Sequence, residues 1–377
     1  MTTAQPHSPV TRFEALDVLR GLTLAFMIVV NMSISPSLSY APLLHATWDG
    51  FTPTDVVFPT FLFVVGAAIW LTGQHAPKQP FSQQLRGVMT RSVWLFFWGF
   101  VVSNAPFFTL TTDNHFAWIA LGHLRIFGVL QRIALTYCVV ALTVRRLSIA
   151  SVTLICCGLL LGYSSLCLWG GAGTLADNLP LKLDLWLWGA DHLYHGEGVP
   201  FDPEGLLSTL PALVNVYAGA LCMRFLQRSF SLEIQKRMLI GYGLLLVIAA
   251  LVVNLWIPIN KKLWSSSYVL WTVGIDVLMM SVIMALMPLP WFKNSIARWL
   301  KPFGVNTLAV YVFAEVLMAI LGTLRVNGKD IFTLLYTQLF QSWAGDKPGS
   351  LLYALAFMLL CYGLAVWMHK RKLYWRV

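Results

Sequence analysis

Charge is scarce in this sequence. Of its 377 residues only 11% are Asp, Glu, Lys or Arg, while 58% are hydrophobic. Soluble domains carry about 25% charged residues, so that deficit argues against a soluble enzyme. The net charge of +10 does not point to nucleic acid either. No basic run is interleaved with aromatics in a soluble stretch, and the cations fall between apolar blocks, as in loops facing anionic lipid. Cysteine is sparse. Cys138, Cys156, Cys157, Cys167, Cys222 and Cys361 all lie inside apolar blocks, and the adjacent Cys156-Cys157 pair lacks metal-ligand spacing. They read as small packing residues, not as a disulfide framework, and no metal site is expected. No cleavable signal is expected. The first apolar run contains Asp17 and Arg20 and no small-residue cleavage site, so it is expected to remain as the first span. No tandem repeat and no soluble domain interrupts the chain.

What the chain has is apolar blocks of about 20 residues, the length that crosses a bilayer. The blocks are continuous, not alternating, and continuous spans in lipid are helices. The predicted fold is all-α: a polytopic membrane helical bundle forming one domain over 1–377. Ten spans are expected, at 15–34, 54–73, 88–106, 126–144, 149–169, 205–226, 238–258, 267–287, 303–322 and 350–369. An eleventh at 331–343 is the alternative count, although Gln338 and Gln341 interrupt it and it is short. Residues 1–12 are expected to be a disordered cytoplasmic segment and 170–204 an outer loop. One set of connections, including Lys78 and Arg376, holds 17 Lys and Arg against 7 in the other. The positive-inside rule then puts both termini in the cytoplasm and His45 on the periplasmic side.

Titratable groups at the edge of hydrocarbon are costly, so they are functional candidates. The densest group is His45-Ala46-Thr47-Trp48-Asp49-Gly50 with Asp55, at the start of the second span. His45 titrates near neutrality and suits a general base, with Asp49 or Asp55 to orient it. Read alone, His45 and Trp48 also fit ordinary interfacial residues. In the first span Asp17 and Arg20 share a helix face, and Asn31 lies at its far end. Gln131 and Arg132 lie deep in the fourth span; an arginine there needs an anion, either a phosphate or a carboxylate such as Asp276 or Glu315. Asp202-Pro203-Glu204 reads as a helix start or as the wall of a substrate site. Lys261, Lys262 and Trp264 form a second polar gate. Asn306, Tyr311 and Glu315 fit one interior face of the ninth span.

Together these motifs resemble the heparan-α-glucosaminide N-acetyltransferase family in its short bacterial form, over about residues 12–320. The carriers are Leu16-Asp17-Val18-Leu19-Arg20-Gly21, the His45 to Gly50 motif with Asp55 to Pro59, Gly128 to Arg132, Phe201 to Pro211, Asn260 to Tyr268 and Asn306 to Glu315. The resemblance implies a bacterial inner-membrane acyltransferase that takes an acetyl group from cytosolic acetyl-CoA to an amino sugar or glycan outside. The family's histidine falls on His45 and its asparagine on Asn31. Arg20, Arg132, Gln131 and Asn306 are then candidates for CoA, with Arg91 beside them. Trp48, Asp202, Glu204, Lys261, Trp264 and Glu315 are candidates for the acceptor. The lipid bilayer is the expected environment, no nucleic acid is expected as a partner, and a homodimer is left open. The rival reading is a proton-coupled transporter of amino sugars or oligosaccharides, in which His45 and Glu315 carry the proton.

Overall fold

In the computed structural model each expected apolar block forms a helix. The structure describes residues 9–75, 80–110, 115–171 and 173–375; residues 1–8, Lys78 and Arg376 lie outside that range. The helices are α1 (Pro9–Asn31), α2 (Val57–His75), α3 (Phe81–Asn104), α4 (Val129–Thr143), α5 (Ile149–Gly170), α6 (Leu179–Trp188), α7 (Thr209–Leu226), α8 (Leu232–Val253), α9 (Ser266–Leu286), α10 (Arg298–Val305), α11 (Thr307–Thr323), α12 (Ile331–Tyr336), α13 (Ser342–Ala344) and α14 (Asp346–Lys370). Two small antiparallel hairpins interrupt them, β1 (Phe108–Leu110) with β2 (Phe116–Trp118), and β3 (Arg325–Val326) with β4 (Lys329–Asp330). Seven helices among the described residues are long and apolar enough to cross a bilayer, or eight if one bent pair counts as a span. The expected ten differs from this for three local reasons. Helix α1 carries Glu14, Asp17 and Arg20 in its first half, α4 has only 15 residues, and the ninth segment is broken.

That break has a sequence cause. Phe292–Val305 and Thr307–Thr323 meet at 75°. Pro302, Gly304 and Asn306 cluster at the joint, and proline and glycine weaken helix continuity there. The 331–343 stretch does not appear among the helices long and apolar enough to cross a bilayer. It is two short helical turns joined by a wider one, and it ends at Gly345 with φ 78°. The 170–204 connection is not featureless, since it folds α6 and packs a small apolar cluster of Leu181, Leu193 and Phe201.

Helices α2 and α7 form the centre. In their spanning windows 67% and 72% of residues are buried, against 17% in α8, which lies at the periphery. They cross at backbone distance. A Cβ on Gly66 would lie 1.8 Å from the Val216 carbonyl oxygen, and one on Gly219 would lie 1.8 Å from the Phe63 carbonyl oxygen. Small residues let spans approach this closely. Gly219→Ala is therefore expected to cost at least about 1–3 kcal/mol, the usual penalty of overpacking. A detergent melting temperature equal to that of the parent chain would refute this. The crossing fixes the N-terminal ends of α2 and α7 side by side, and α4 and α9 start at the same end of the bundle.

Candidate functional site

The segment between α1 and α2 is a series of tight turns, the last of which, Pro53–Val56, runs straight into α2. Thr52 and Asp55 form a capping box there, a pairing that satisfies otherwise orphaned backbone donors. Asp55 Oδ2 accepts from the Thr52 and Ala46 backbone N–H groups at 3.0 and 3.2 Å. Its side chain is fully buried, while that of His45 is 47% exposed. Asp55 Oδ1 receives the His45 Nδ1–H at 2.7 Å. An ionised carboxylate can only accept, so this bond sets the tautomer and leaves the His45 Nε2 lone pair free. The Tyr268 hydroxyl donates to the Asp55 backbone carbonyl at 2.6 Å, which ties the turn to α9.

Two further loops close on this turn. Asn260 Nδ2 donates to Asp49 Oδ1 at 3.1 Å, and the Gly50 N–H donates to the Ile259 carbonyl at 2.8 Å. Asp49 thus clips the 254–265 loop to the histidine loop, and it is Asp55 that holds the imidazole. The clip delivers Lys261. Its Nζ lies 2.9 Å from His45 Nδ1, 3.0 Å from Nε2 and 3.8 Å from Asp55 Oδ1. Nearly equidistant from the two ring nitrogens, Nζ lies over the imidazole beside Nε2 and leaves the in-plane Nε2 lone pair open. Trp264 turns this loop with φ 55°, a left-handed conformation that costs a non-glycine residue about 1–3 kcal/mol. Its enclosed ring holds the turn, with Nε1 donating to Asn215 Oδ1 at 3.1 Å and Phe58 and Tyr268 edge-on against it. Trp264 therefore shapes the gate from inside.

The third loop is 201–208. Phe201 meets Trp48 edge-on at 6.4 Å. Asp202 and Glu204 share Arg125. Its Nε and Nη2 reach the two Asp202 oxygens at 2.8 and 2.7 Å, and Nη2 also reaches Glu204 Oε2 at 2.8 Å. Tyr194 stacks on the same guanidinium at 4.7 Å. Arg132 lies underneath. One of its nitrogens donates to the Pro203 and Gly205 carbonyls at 2.8 and 3.3 Å and to the Ser208 hydroxyl, and the group sits 4.7 Å from the Trp264 ring. Neither acid expected to pair with Arg132 does so. Asp276 accepts from Thr60, and Glu315 Oε1 accepts from Asn31 Nδ2 at 2.8 Å. Gln131 is buried at the α3–α4 seam, with Nε2 on the Ile126 carbonyl at 3.1 Å. Asn306 is buried at the α10–α11 break.

Electrostatics follow from the packing. Burial pushes the His45 imidazolium below the ordinary histidine value and the Lys261 charge adds to this, against the pull of Asp55. Burial likewise draws the Lys261 ammonium below the usual lysine range, while Asp55 and Glu204 pull the other way. The buried Asp55 carboxylate is balanced by the His45 hydrogen bond and by Lys261 at 3.8 Å. Burial works against the Glu204 carboxylate too, but Arg125, Arg132 and Lys261 outweigh it and hold its pKa low. Asp184 on α6 is enclosed with a single donor, the Leu206 N–H at 3.2 Å, and burial raises its carboxyl to about 7.

A second charged group lies elsewhere along α1. Arg20 Nη1 contacts Asp17 Oδ1 at 3.4 Å and the Gly304 carbonyl at 3.1 Å. Lys301 stands close enough to act on Asp17, and Arg91 on Arg20. Between this group and the histidine turn an open apolar groove of ≈ 430 Å³ lies along α1, α2 and α9. Phe51 and Pro53 line one part and Leu22 and Thr23, two and three residues from Arg20, line another.

Sequence reasoning missed Arg125, Tyr194 and Asp184. Arg125 had one signal: the acid-rich 170–204 connection holds a single lysine and needs a counter-charge from elsewhere. Among the described residues no group of three or more His, Cys, Asp or Glu could hold a metal ion.

Comparison with known proteins bears on this site. Residues 12–178 match the family model described as heparan-alpha-glucosaminide N-acetyltransferase, catalytic. The chain is 29% identical over 367 residues to the Homo sapiens heparan-alpha-glucosaminide N-acetyltransferase, covering 81% of this chain and 53% of that protein. It is 28% identical over 376 residues to the Mus musculus protein of the same name, covering 82% of this chain and 54% of that one. The chain thus spans about half the length of the curated relatives it matches. The matched region includes His45, Asp55, Arg125 and Arg132, whereas Asp202, Glu204 and Lys261 lie beyond it. The chain is thus similar to heparan-alpha-glucosaminide N-acetyltransferases, and the stretch that resembles their catalytic-region model contains the histidine and its carboxylate.

Proposed function

We propose that this chain is a membrane-embedded acyltransferase that moves an acetyl group from acetyl-CoA to the amine of an amino sugar or glycan. The observation that carries the reading is the His45–Asp55 pair: a half-exposed imidazole with Nδ1 committed to a buried carboxylate and Nε2 facing the convergence of three loops. In this reading Nε2 takes the proton of the attacking amine as the thioester carbon–sulfur bond breaks, then returns it to the leaving thiolate. The same atom is the nucleophile if His45 carries the acetyl group transiently. Asn31 has a second amide hydrogen beyond the one given to Glu315 and is assigned to the oxyanion. Glu204, Glu315 and Trp48 are assigned to the acceptor.

Donor and acceptor come from opposite sides in this proposal, with both termini cytoplasmic and His45 periplasmic in a bacterial inner membrane. Arg20, Arg91 and Lys301 suit the phosphates of CoA, since guanidinium groups pair well with phosphate. Arg132, with one nitrogen on the carbonyls of the 203–208 turn, suits positioning of that loop. Gln131 and Asn306 are assigned to the donor side as lining, and the apolar groove from Leu22 to Pro53 supports a route for the thioester arm.

The test is acetyl transfer by the purified chain given acetyl-CoA and glucosamine. Product formation is expected. The base must be neutral to act, so the rate should fall with acid through the His45 pKa, and burial places that limb below the ordinary histidine value. A chain that ignores acetyl-CoA but moves sugar down a proton gradient would be a transporter instead.

A further inference from the structure

We infer that Lys261 occupies, in the resting protein, the place of the acceptor's amine, and that it is itself acetylated when the donor is present without an acceptor. The inference rests on the proposed acyltransferase function and names a modification site within it. Three observations carry it. Lys261 Nζ is within 3.0 Å of His45 Nε2, the atom assigned to receive an amine proton. Its side chain is only 18% exposed, and the Asn260–Asp49 clip holds its loop against the histidine turn. Its neighbour Lys262 is tied to Glu197 instead, so one lysine of the pair is presented to the base and the other is not.

The chemistry is that of the proposed reaction with a different amine. Lys261 Nζ reacts in its free-amine form, toward which burial shifts the equilibrium, and bonds to the carbonyl carbon of the acetyl thioester. The proton on Nζ passes to His45 Nε2. The carbon–sulfur bond breaks and the sulfur leaves as a thiolate, which recovers the proton from the imidazolium. The products are Nζ-acetyl-Lys261 and the free thiol. Because the added amine and Lys261 compete for the space beside His45 Nε2, acceptor protects the lysine. Acetylation removes the charge facing Asp55 and fills the position, so a modified chain loses transfer activity.

The experiment is peptide mapping by tandem mass spectrometry of the purified full chain after incubation with acetyl-CoA, with and without glucosamine. The expected result is one acetyl group on Lys261 without glucosamine, suppressed when glucosamine is present. In His45→Ala the modification rate falls by about 10²-fold or more, the usual share of a general base. His45→Gln, closer in volume, gives the same loss if folding of the alanine variant is in question, and a detergent melt checks both. Lys261→Arg keeps a cation beside the imidazole and takes up no acetyl group at 261. Exposed Lys293, 54% accessible at its side chain, reports non-enzymatic acetylation. A chain that acetylates glucosamine yet leaves Lys261 unmodified overturns the inference alone. So does labelling spread over exposed lysines regardless of His45. A chain that acetylates neither overturns the proposed function and the inference with it.

Discussion

Asp55→Asn is expected to lower acetyl transfer by about 10²–10⁴-fold, as much as losing the base itself. The reason is a proton position. Asp55 Oδ2 is pinned by two backbone N–H groups, from Ala46 and Thr52. An asparagine must turn its carbonyl oxygen toward those donors, which leaves its NH₂ facing His45. The amide then donates to Nδ1, so Nδ1 must be the acceptor and the ring hydrogen moves to Nε2. The imidazole stays in place with the wrong nitrogen protonated. His45→Ala is expected to cost a similar factor, and the double variant little more, because residues that act as a unit are strongly non-additive. The loss should appear in kcat more than in KM, as for an interaction made in the transition state. Kinetics of acetyl transfer to glucosamine check this. An Asp55→Asn enzyme within about threefold of the parent would remove Asp55 from the mechanism and, by the scale of base catalysis, weaken the assignment of His45 with it.

The helices were legible because lipid imposes one rule on every apolar block: satisfy the backbone internally. Local chemistry set their ends, as Pro302, Gly304 and Asn306 do at the bend. The pairing of Asp17 with Arg20 was readable from helix spacing alone. The histidine loop was legible as a place but not as an arrangement. Asp49 and Asp55 are equally plausible partners for His45 in sequence. Only the docking of the 254–265 loop, 211 residues away from Asp49 at the Asn260 contact, sends Asp49 to Asn260 and frees Asp55 for the imidazole. Contacts at such separations leave no local periodicity to read. Lys261 was visible as a cation on the side where cations are rare, and the structure gives that anomaly a partner. Arg132 was read as needing an anion, either a phosphate or a carboxylate; one of its nitrogens instead meets backbone carbonyls and a serine, and neutral acceptors carry no charge signature in a sequence.

Arg125→Met is expected to destabilise the chain by about 3–5 kcal/mol, the cost of removing one member of a buried ion pair. Arg125 is 20% exposed at its side chain, Asp202 fully buried and Glu204 13% exposed, so water cannot replace the guanidinium. Two carboxylates that it neutralises would then face each other beside Asp184. Arg125→Lys should recover part of the loss. It restores charge but not the fork that reaches both Asp202 oxygens and Glu204 at once. The triad also depends on pH. Glu204 is held below the ordinary glutamate range, so its contribution is present above that range and lost as pH falls through the lowered value. The effect extends to catalysis through the chain of contacts, because the 201–208 loop carries Phe201 against Trp48 and Glu204 within electrostatic range of Lys261 and His45. Loosening it should raise KM for the acceptor in Arg125→Lys even where the fold survives. Thermal melts in detergent read the stability term and steady-state kinetics read the second. If Arg125→Met melts with the parent chain, the two acids have partners that the triad does not supply, and the loop owes its position to the Trp48–Phe201 contact instead.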